Sequence, residues 1–277
     1  MIIILQIQIN IFLSVLLIFL LGHAYFTIDR KKTSNLLFLW IMGLTCIILI
    51  LEIFGVLLDN PYLKEFMVLH KLVNVIGFII APTIPLLGYT FVKEWVNRDQ
   101  KEKIKSNKIL LLLYLINAIA ALISYEGSGI FHITSENNYE RGPLFFLSPC
   151  ISFIYFVYSI YFIHKQRKKF TQSEFVLFNL IFIIPVVCTT IQLKYPVYLT
   201  IWNSMAIIIV ITYIFILNDH VYRDSLTGLE NRLSYEHYAQ NIHRKKLSRL
   251  SVVYMDIDEL KLINDHYLLI YSLRVFH

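Results

Sequence analysis

Asp224-Ser225-Leu226-Thr227-Gly228-Leu229-Glu230-Asn231-Arg232 and, further on, Val253-Tyr254-Met255-Asp256-Ile257-Asp258-Glu259-Leu260-Lys261-Leu262-Ile263-Asn264-Asp265 are the stretches on which the reading of this chain turns. Residues 251–255 form a short β-branched and aromatic run, which reads as a buried strand. It ends in Asp256-Ile257-Asp258, which sets two carboxylates at i and i+2 on one face of the strand end. A helix is expected next, with Leu260, Ile263 and Tyr267 on one side and Lys261, Asn264 and Asp265 towards another. Such a constellation suits a Mg²⁺–nucleotide site: hard oxygens hold the metal, an ammonium meets phosphate and an asparagine reads a base edge. Taken alone, the Asp256/Asp258 pair is equally well a solvated strand end.

The two stretches together resemble the opening of a GGDEF domain, the catalytic module of bacterial diguanylate cyclases. That family pattern begins D-x-L-T-G-L-x-N-R and continues, some twenty-odd residues later, with D-[IVL]-D-x-F-K-x-[IVL]-N-D. Leu260 stands where the family usually has Phe. The resemblance implies that Asp256 is the first Mg²⁺ ligand, with the backbone carbonyl of Ile257 beside it. It further implies that Lys261 contacts the phosphates of GTP and Asn264 its guanine. Asp258 and Asp265 would support the site, and Asp224, Asn231 and Arg232 would be structural, fixing the first helix onto the sheet. In the intact family two GTP molecules are joined into cyclic di-GMP by two modules facing each other, so a homodimer, or a dimer with an intact relative, is implied.

The resemblance covers about a third of such a module. After Asn264-Asp265 the family continues with an aromatic residue and G-H-x-x-G-D, whereas this chain reads His266-Tyr267-Leu268-Leu269-Ile270 and runs to His277. The signature hairpin G-G-D-E-F has no counterpart, and with it go the second metal carboxylate and the residues that activate the attacking hydroxyl. The expectation is a truncated module that does not cyclise GTP.

Composition bounds the rest. The chain is 57% hydrophobic and only 16% charged, with mean hydropathy +0.62, which is too apolar for a soluble domain of this size. The net charge of +6 falls in short clusters between apolar runs, so it reads as an orientation signal at a bilayer surface and not as a nucleic-acid footprint. Cys46, Cys150 and Cys188 lie far apart in apolar segments, which argues against a disulfide framework or a metal site.

Apolar runs over residues 2–28, 35–58, 66–92, 109–125, 143–163, 175–193 and 197–217 predict about seven transmembrane helices, each near the length a bilayer core needs. The first lacks a basic leader and a cleavage site, so it reads as a retained span. Pro82-Thr83-Ile84-Pro85 is expected to interrupt and kink the third, and residues 126–142 form the longest loop. Basic residues gather in 30–32, 93–108 and 165–169, on one side, which places the N-terminus outside and the C-terminus in the cytoplasm of a bacterial cell. The expected architecture is thus an all-α polytopic membrane domain (residues 1–217) followed by a truncated α/β GGDEF-type module (218–277). With Tyr139-Glu140-Arg141-Gly142-Pro143 leading into the fifth span, the membrane part resembles the seven-helix N-terminal region of some bacterial histidine kinases and cyclases.

Glu52, Asn74, Asn117, Gln192 and Asn203 are costly in hydrocarbon unless paired or facing a cavity. One reading makes Glu52 and Gln192, with His132 and Arg141 of the long loop, a sensing site. The other gives Asn74, Asn117 and Asn203 to helix–helix hydrogen bonds and Glu52 and Gln192 to the interface. A receptor histidine kinase is disfavoured because His237 is followed by Tyr238-Ala239. Besides the cyclase-type receptor stand a membrane sensor without chemistry and, more distantly, a small-solute transporter using the kinked helices.

Overall fold

The computed structural model describes residues 2–97, 107–194 and 201–222, and beyond them residues 224, 229, 231–236, 239, 251–256, 258–259 and 261. The chain divides into two compact units, Met1–Asp219 and His220–His277.

The first unit is built on helices because its long apolar runs can satisfy their backbone groups only within the segment when water is absent. The described residues hold seven: α1 (Ile2–Thr27), α2 (Thr33–Leu58), α3 (Met67–Val96), α4 (Lys108–Ile123), α5 (Leu147–Lys165), α6 (Gln172–Lys194) and α7 (Ile201–Val221). Six of them, all but α4, provide stretches long and apolar enough to cross a membrane. At 16 residues α4 spans about 24 Å, short of a hydrocarbon core of about 30 Å.

Consecutive helices run antiparallel, as their contacts record. Asn10 near the start of α1 meets Glu52 near the end of α2, and Phe38 at the start of α2 packs against Phe91 at the end of α3. Asn107, just before α4, donates to Tyr158 late in α5, and Trp95 at the end of α3 donates to Glu174 at the start of α6. The core between α1, α2, α3, α5, α6 and α7 is apolar, with Leu17, Met42, Leu49, Ile84, Phe178 and Ile209 buried. The opposite faces carry large exposed apolar side chains: Phe19 is 72% exposed two positions from the fully buried Leu17. Such a helix is buried on one side by protein and needs lipid on the other.

Helix α6 opens with Thr171-Gln172-Ser173-Glu174, a capping box. Thr171 Oγ1 accepts from the Glu174 N–H at 3.3 Å, and Glu174 Oε2 accepts from the Thr171 N–H at 2.8 Å. At the same end of the bundle, cations lie over aromatic rings: Arg30 over Tyr25 at 4.2 Å and Arg167 over Phe175 at 4.3 Å.

Three expectations are corrected. Helix α3 is not interrupted at Pro82-Thr83-Ile84-Pro85 but runs through as one 30-residue helix. Pro82 has no N–H for the Phe78 carbonyl, and Asn117 of α4 supplies it instead, Nδ2 to O at 2.8 Å. The long loop of residues 126–142 contains a two-stranded antiparallel hairpin, β1 (Phe131–Ile133) and β2 (Tyr139–Arg141). In the second unit, residues 251–256 form no strand, and Val252, Val253 and Tyr254 are 71%, 77% and 92% exposed. No described segment pairs with them, and an isolated strand has no ladder for its backbone groups.

The turn of the hairpin is tied to the bundle by a buried side chain. Asn137, fully buried in its turn with φ 64°, donates from Nδ2 to the carbonyls of Leu58 (2.7 Å), Leu63 (3.0 Å) and Asn60 (3.3 Å). Its Oδ1 accepts from His70 Nδ1 at 3.0 Å. The three carbonyls fix which end of the amide is nitrogen. Below the turn, Phe131 stacks between Phe78 and Tyr139, and Ile130 and Ile133 bury against Ala120 and Ala121. At the hairpin's base a Cβ on Gly142 would lie 2.1 Å from the Gly129 carbonyl oxygen, so only glycine fits.

Three outcomes follow. At a left-handed position, Asn137→Ala removes a donor shared by three carbonyls, two of which keep a backbone N–H, and the acceptor of a buried histidine, and is expected to cost about 2 kcal/mol or more in unfolding of the purified protein. Asn137→Asp, which turns a carboxylate towards the same carbonyls, should cost more still. In a double-mutant cycle, Asn117→Leu should be more costly in the wild-type background than with Pro82→Ala, whose N–H serves the Phe78 carbonyl, by about 1 kcal/mol. Equal costs in both backgrounds would remove the proline from the account.

Candidate functional site

In the second unit, Asn231 organises the first motif. Its Oδ1 accepts from the Ser234 N–H at 3.1 Å, the bond of an N-cap residue to the third helical position, and its Nδ2 donates to the Val221 carbonyl at 2.7 Å. The Asn231 N–H reaches the Tyr222 carbonyl at 3.0 Å, and the Asp224 N–H reaches the Leu229 carbonyl at 2.7 Å. Arg232, the first helical residue, pairs with Glu236 one turn on at 2.9 Å, at the surface. This motif makes a helix start.

Asp256 and Asp258 are exposed, as is Lys261, which is helical. Between them Glu259 has φ 56°, the left-handed region, so the backbone turns sharply after Asp258. Ile257, Asn264 and Asp265 lie outside the described residues. Magnesium needs an oxygen cage set by more than exposed carboxylates in sequence. Among the described residues no three His, Cys, Asp or Glu side chains come together as a metal-binding group. Of the two Mg²⁺ ligands that the resemblance implies, Asp256 alone lies among the described residues, and it is exposed.

The membrane unit contains a cavity of about 420 Å³. It lies at the end of the bundle where α1, α3, α5 and α7 begin and α2 and α6 finish, since Gln6, Glu52, His70, Ser148, Thr189 and Trp202 all line it. Asp59 and Tyr139 line it too. Glu52 Oε2 accepts from Asn10 Nδ2 at 2.8 Å, and Oε1 lies 3.5 Å from Gln6 Nε2. Asp59 Oδ1 accepts from the Tyr139 N–H at 2.8 Å. Burial pushes the Tyr139 phenol up to about 12; Arg141 pulls it down and Asp59 pushes it up, so it stays protonated at neutral pH. His70 is buried, and with Nδ1 committed to Asn137 its Nε2 is without a hydrogen-bond partner among the described residues.

Of the side chains considered for sensing, Glu52 is therefore in the cavity wall. His132 is exposed, opposite Glu140 in the hairpin, and Arg141 is exposed with its guanidinium 4.5 Å from the Phe145 ring; neither lines the cavity. Gln192 belongs to the last turns of α6, and its side chain lies outside the described ones. Asn74 donates to the His70 carbonyl of its own helix at 2.9 Å, and Asn203 is buried in α7. Sequence reasoning missed His70, Gln6, Asn10 and Asn137. For α1 a signal existed: Gln6, Asn10 and Ser14 follow one another at i, i+4, i+8 in an apolar run, and all three are buried.

Residues 221–267 match the family model described as diguanylate cyclase, GGDEF domain. No curated protein and no solved structure matches the chain. The C-terminal unit is thus similar to a GGDEF domain over those residues, and it follows a region with six helices of membrane-spanning length and composition.

Proposed function

We propose that the chain is a multi-pass signalling receptor of the diguanylate cyclase type in a bacterial cell membrane. The observation that carries this reading is the join. Helix α7 ends at Val221, the residue at which the GGDEF match begins, so a membrane helix leads into a signalling module without a linker. In this reading all seven helices cross, including the short α4, with the N-terminus outside and the module in the compartment that holds GTP. The asymmetry of basic residues supports that orientation, since residues 30–32, 93–108 and 165–169 all precede or follow the same bundle end. The membrane unit would sense, and the module would act as a dimer, with itself or with an intact relative. Lys261 is assigned to nucleotide phosphate and Asn264 to guanine by their places in the motif.

The 277 residues contain no Gly-Gly-Asp-Glu-Phe, and the 251–256 segment is exposed. By itself this polypeptide is therefore assigned no cyclase activity. Expressed in a bacterial host, it should leave cyclic di-GMP, measured by mass spectrometry, at the empty-vector level; a rise would show that it is an enzyme as it stands. Joining an intact GGDEF domain at residue 221 should restore synthesis. Loss of synthesis in every such fusion would count against a membrane unit coupled to that output.

Topology is tested separately. Reporters inserted at residues 103 and 136 should report opposite sides of the membrane, cytoplasmic and external. The same side for both would mean that α4 does not cross.

A further inference from the structure

We propose that the cavity at the outer end of the membrane unit is a binding site for a small organic cation, a protonated amine carried on a compact apolar body. The two buried lining atoms without a hydrogen-bond partner among the described residues, Gln6 Oε1 and His70 Nε2, are acceptors. Glu52 is a carboxylate whose two neighbours, Asn10 and Gln6, are neutral amides, and among the described residues no cation pairs with it. Gln6 is 4% exposed and its Oε1 has no hydrogen-bond partner. His70 is 1% exposed, and because Asn137 takes its Nδ1 hydrogen, the neutral ring presents a bare Nε2 lone pair. Asp59 adds a second carboxylate at the rim.

No lysine or arginine is among the described lining residues, and the Arg141 guanidinium lies over the ring of Phe145, which lines the cavity. The wall between the acceptors is aromatic and aliphatic, with Phe78, Phe145, Phe156 and Trp202. A ligand that matches this surface must bring donors and positive charge to one end and apolar area to the other. An ammonium supplies three N–H donors, and aromatic faces attract it. Among the described lining residues an anion would meet two carboxylates and no donor cation, and a purely apolar ligand would leave the buried acceptors unmet. The volume, about 420 Å³, falls in the range of small-ligand pockets. The mouths of neighbouring helices converge there, so an occupant touches α1, α2, α3, α5 and α7 at once.

This proposal rests on the receptor reading in taking the membrane unit as the signal-binding part, but its test reads binding alone and needs no output. The full chain in lipid nanodiscs is titrated at neutral pH with 2-phenylethylammonium, 2-phenylethanol and phenylacetate, following tryptophan fluorescence and thermal stability. Trp202 lines the cavity, and Trp202→Phe identifies the part of the signal that comes from it. The ammonium should bind about tenfold or more tightly than the alcohol, and phenylacetate should give no saturable change. Glu52→Gln, which keeps an acceptor for Asn10, should weaken the ammonium about tenfold and leave the alcohol unchanged, while Glu52→Asp should fall between. Equal binding of ammonium and alcohol, or unchanged ammonium binding in Glu52→Gln, overturns the cationic assignment and leaves the receptor reading standing. No saturable response to any probe, from a protein with wild-type thermal unfolding, overturns the site itself.

Discussion

Every carbonyl that a helix fails to satisfy in hydrocarbon must be met by a donor from the protein, and the first unit is arranged around that demand. Helix α3 carries two prolines, Pro82 and Pro85, in a 30-residue span. Pro82 alone strands the Phe78 carbonyl, and the remedy is a buried asparagine on the next helix, Asn117, which thereby fixes how α4 lies against α3. The same demand recurs where the chain turns between α2 and α3. There the carbonyls of Leu58, Asn60 and Leu63 converge on one amide, the Asn137 Nδ2, and the hairpin is drawn down over the helix ends. Polar side chains in this unit are structural first. Those left with unmet atoms stand out for that reason.

The second unit obeys the same rule with a different result. A strand is stable only when its N–H and C=O groups enter a ladder and one face is covered. Residues 251–256 have β-forming side chains but neither condition is met among the described residues, so Tyr254 and Met255 are exposed. Asn231, by contrast, needs only its own neighbours: an N-cap bond to Ser234 and two bonds back to Val221 and Tyr222. Local motifs form where their partners are within ten residues.

That difference also sets what the sequence could disclose. The helices were legible because apolar runs of bilayer length have few other solutions, and their ends fell within a few residues of the expected places. Helix α5 begins at Leu147 and not at 143 because Gly142 and Pro143 are spent in closing the hairpin. The hairpin itself was read as loop, since its strands are three residues each and its one decisive residue, Asn137, sits among ordinary polar neighbours. Glu52 was visible as a carboxylate in an apolar run. His70 was not, because its significance comes from the tertiary contact with Asn137, 67 positions away, which occupies one ring nitrogen and leaves the other bare.

Helix α1 ties the cavity to the far end of the bundle. Near its start, Gln6 and Asn10 hold the two oxygens of Glu52; near its end, His23 Nδ1 is hydrogen-bonded to the Tyr213 hydroxyl of α7. The 13 positions from Asn10 to His23 lie within one uninterrupted helix, about 20 Å long, with no proline or loop between them. Close-packed helices move as rigid bodies and not by local yielding, so a ligand that displaces Glu52 or its amide partners acts on α1 as a whole. Because Tyr213 stacks on Phe38 as well as bonding to His23, α7 is gripped by α1 and α2 together at that end. The helix so held is the one that runs on to Val221, where the match to the GGDEF family model begins.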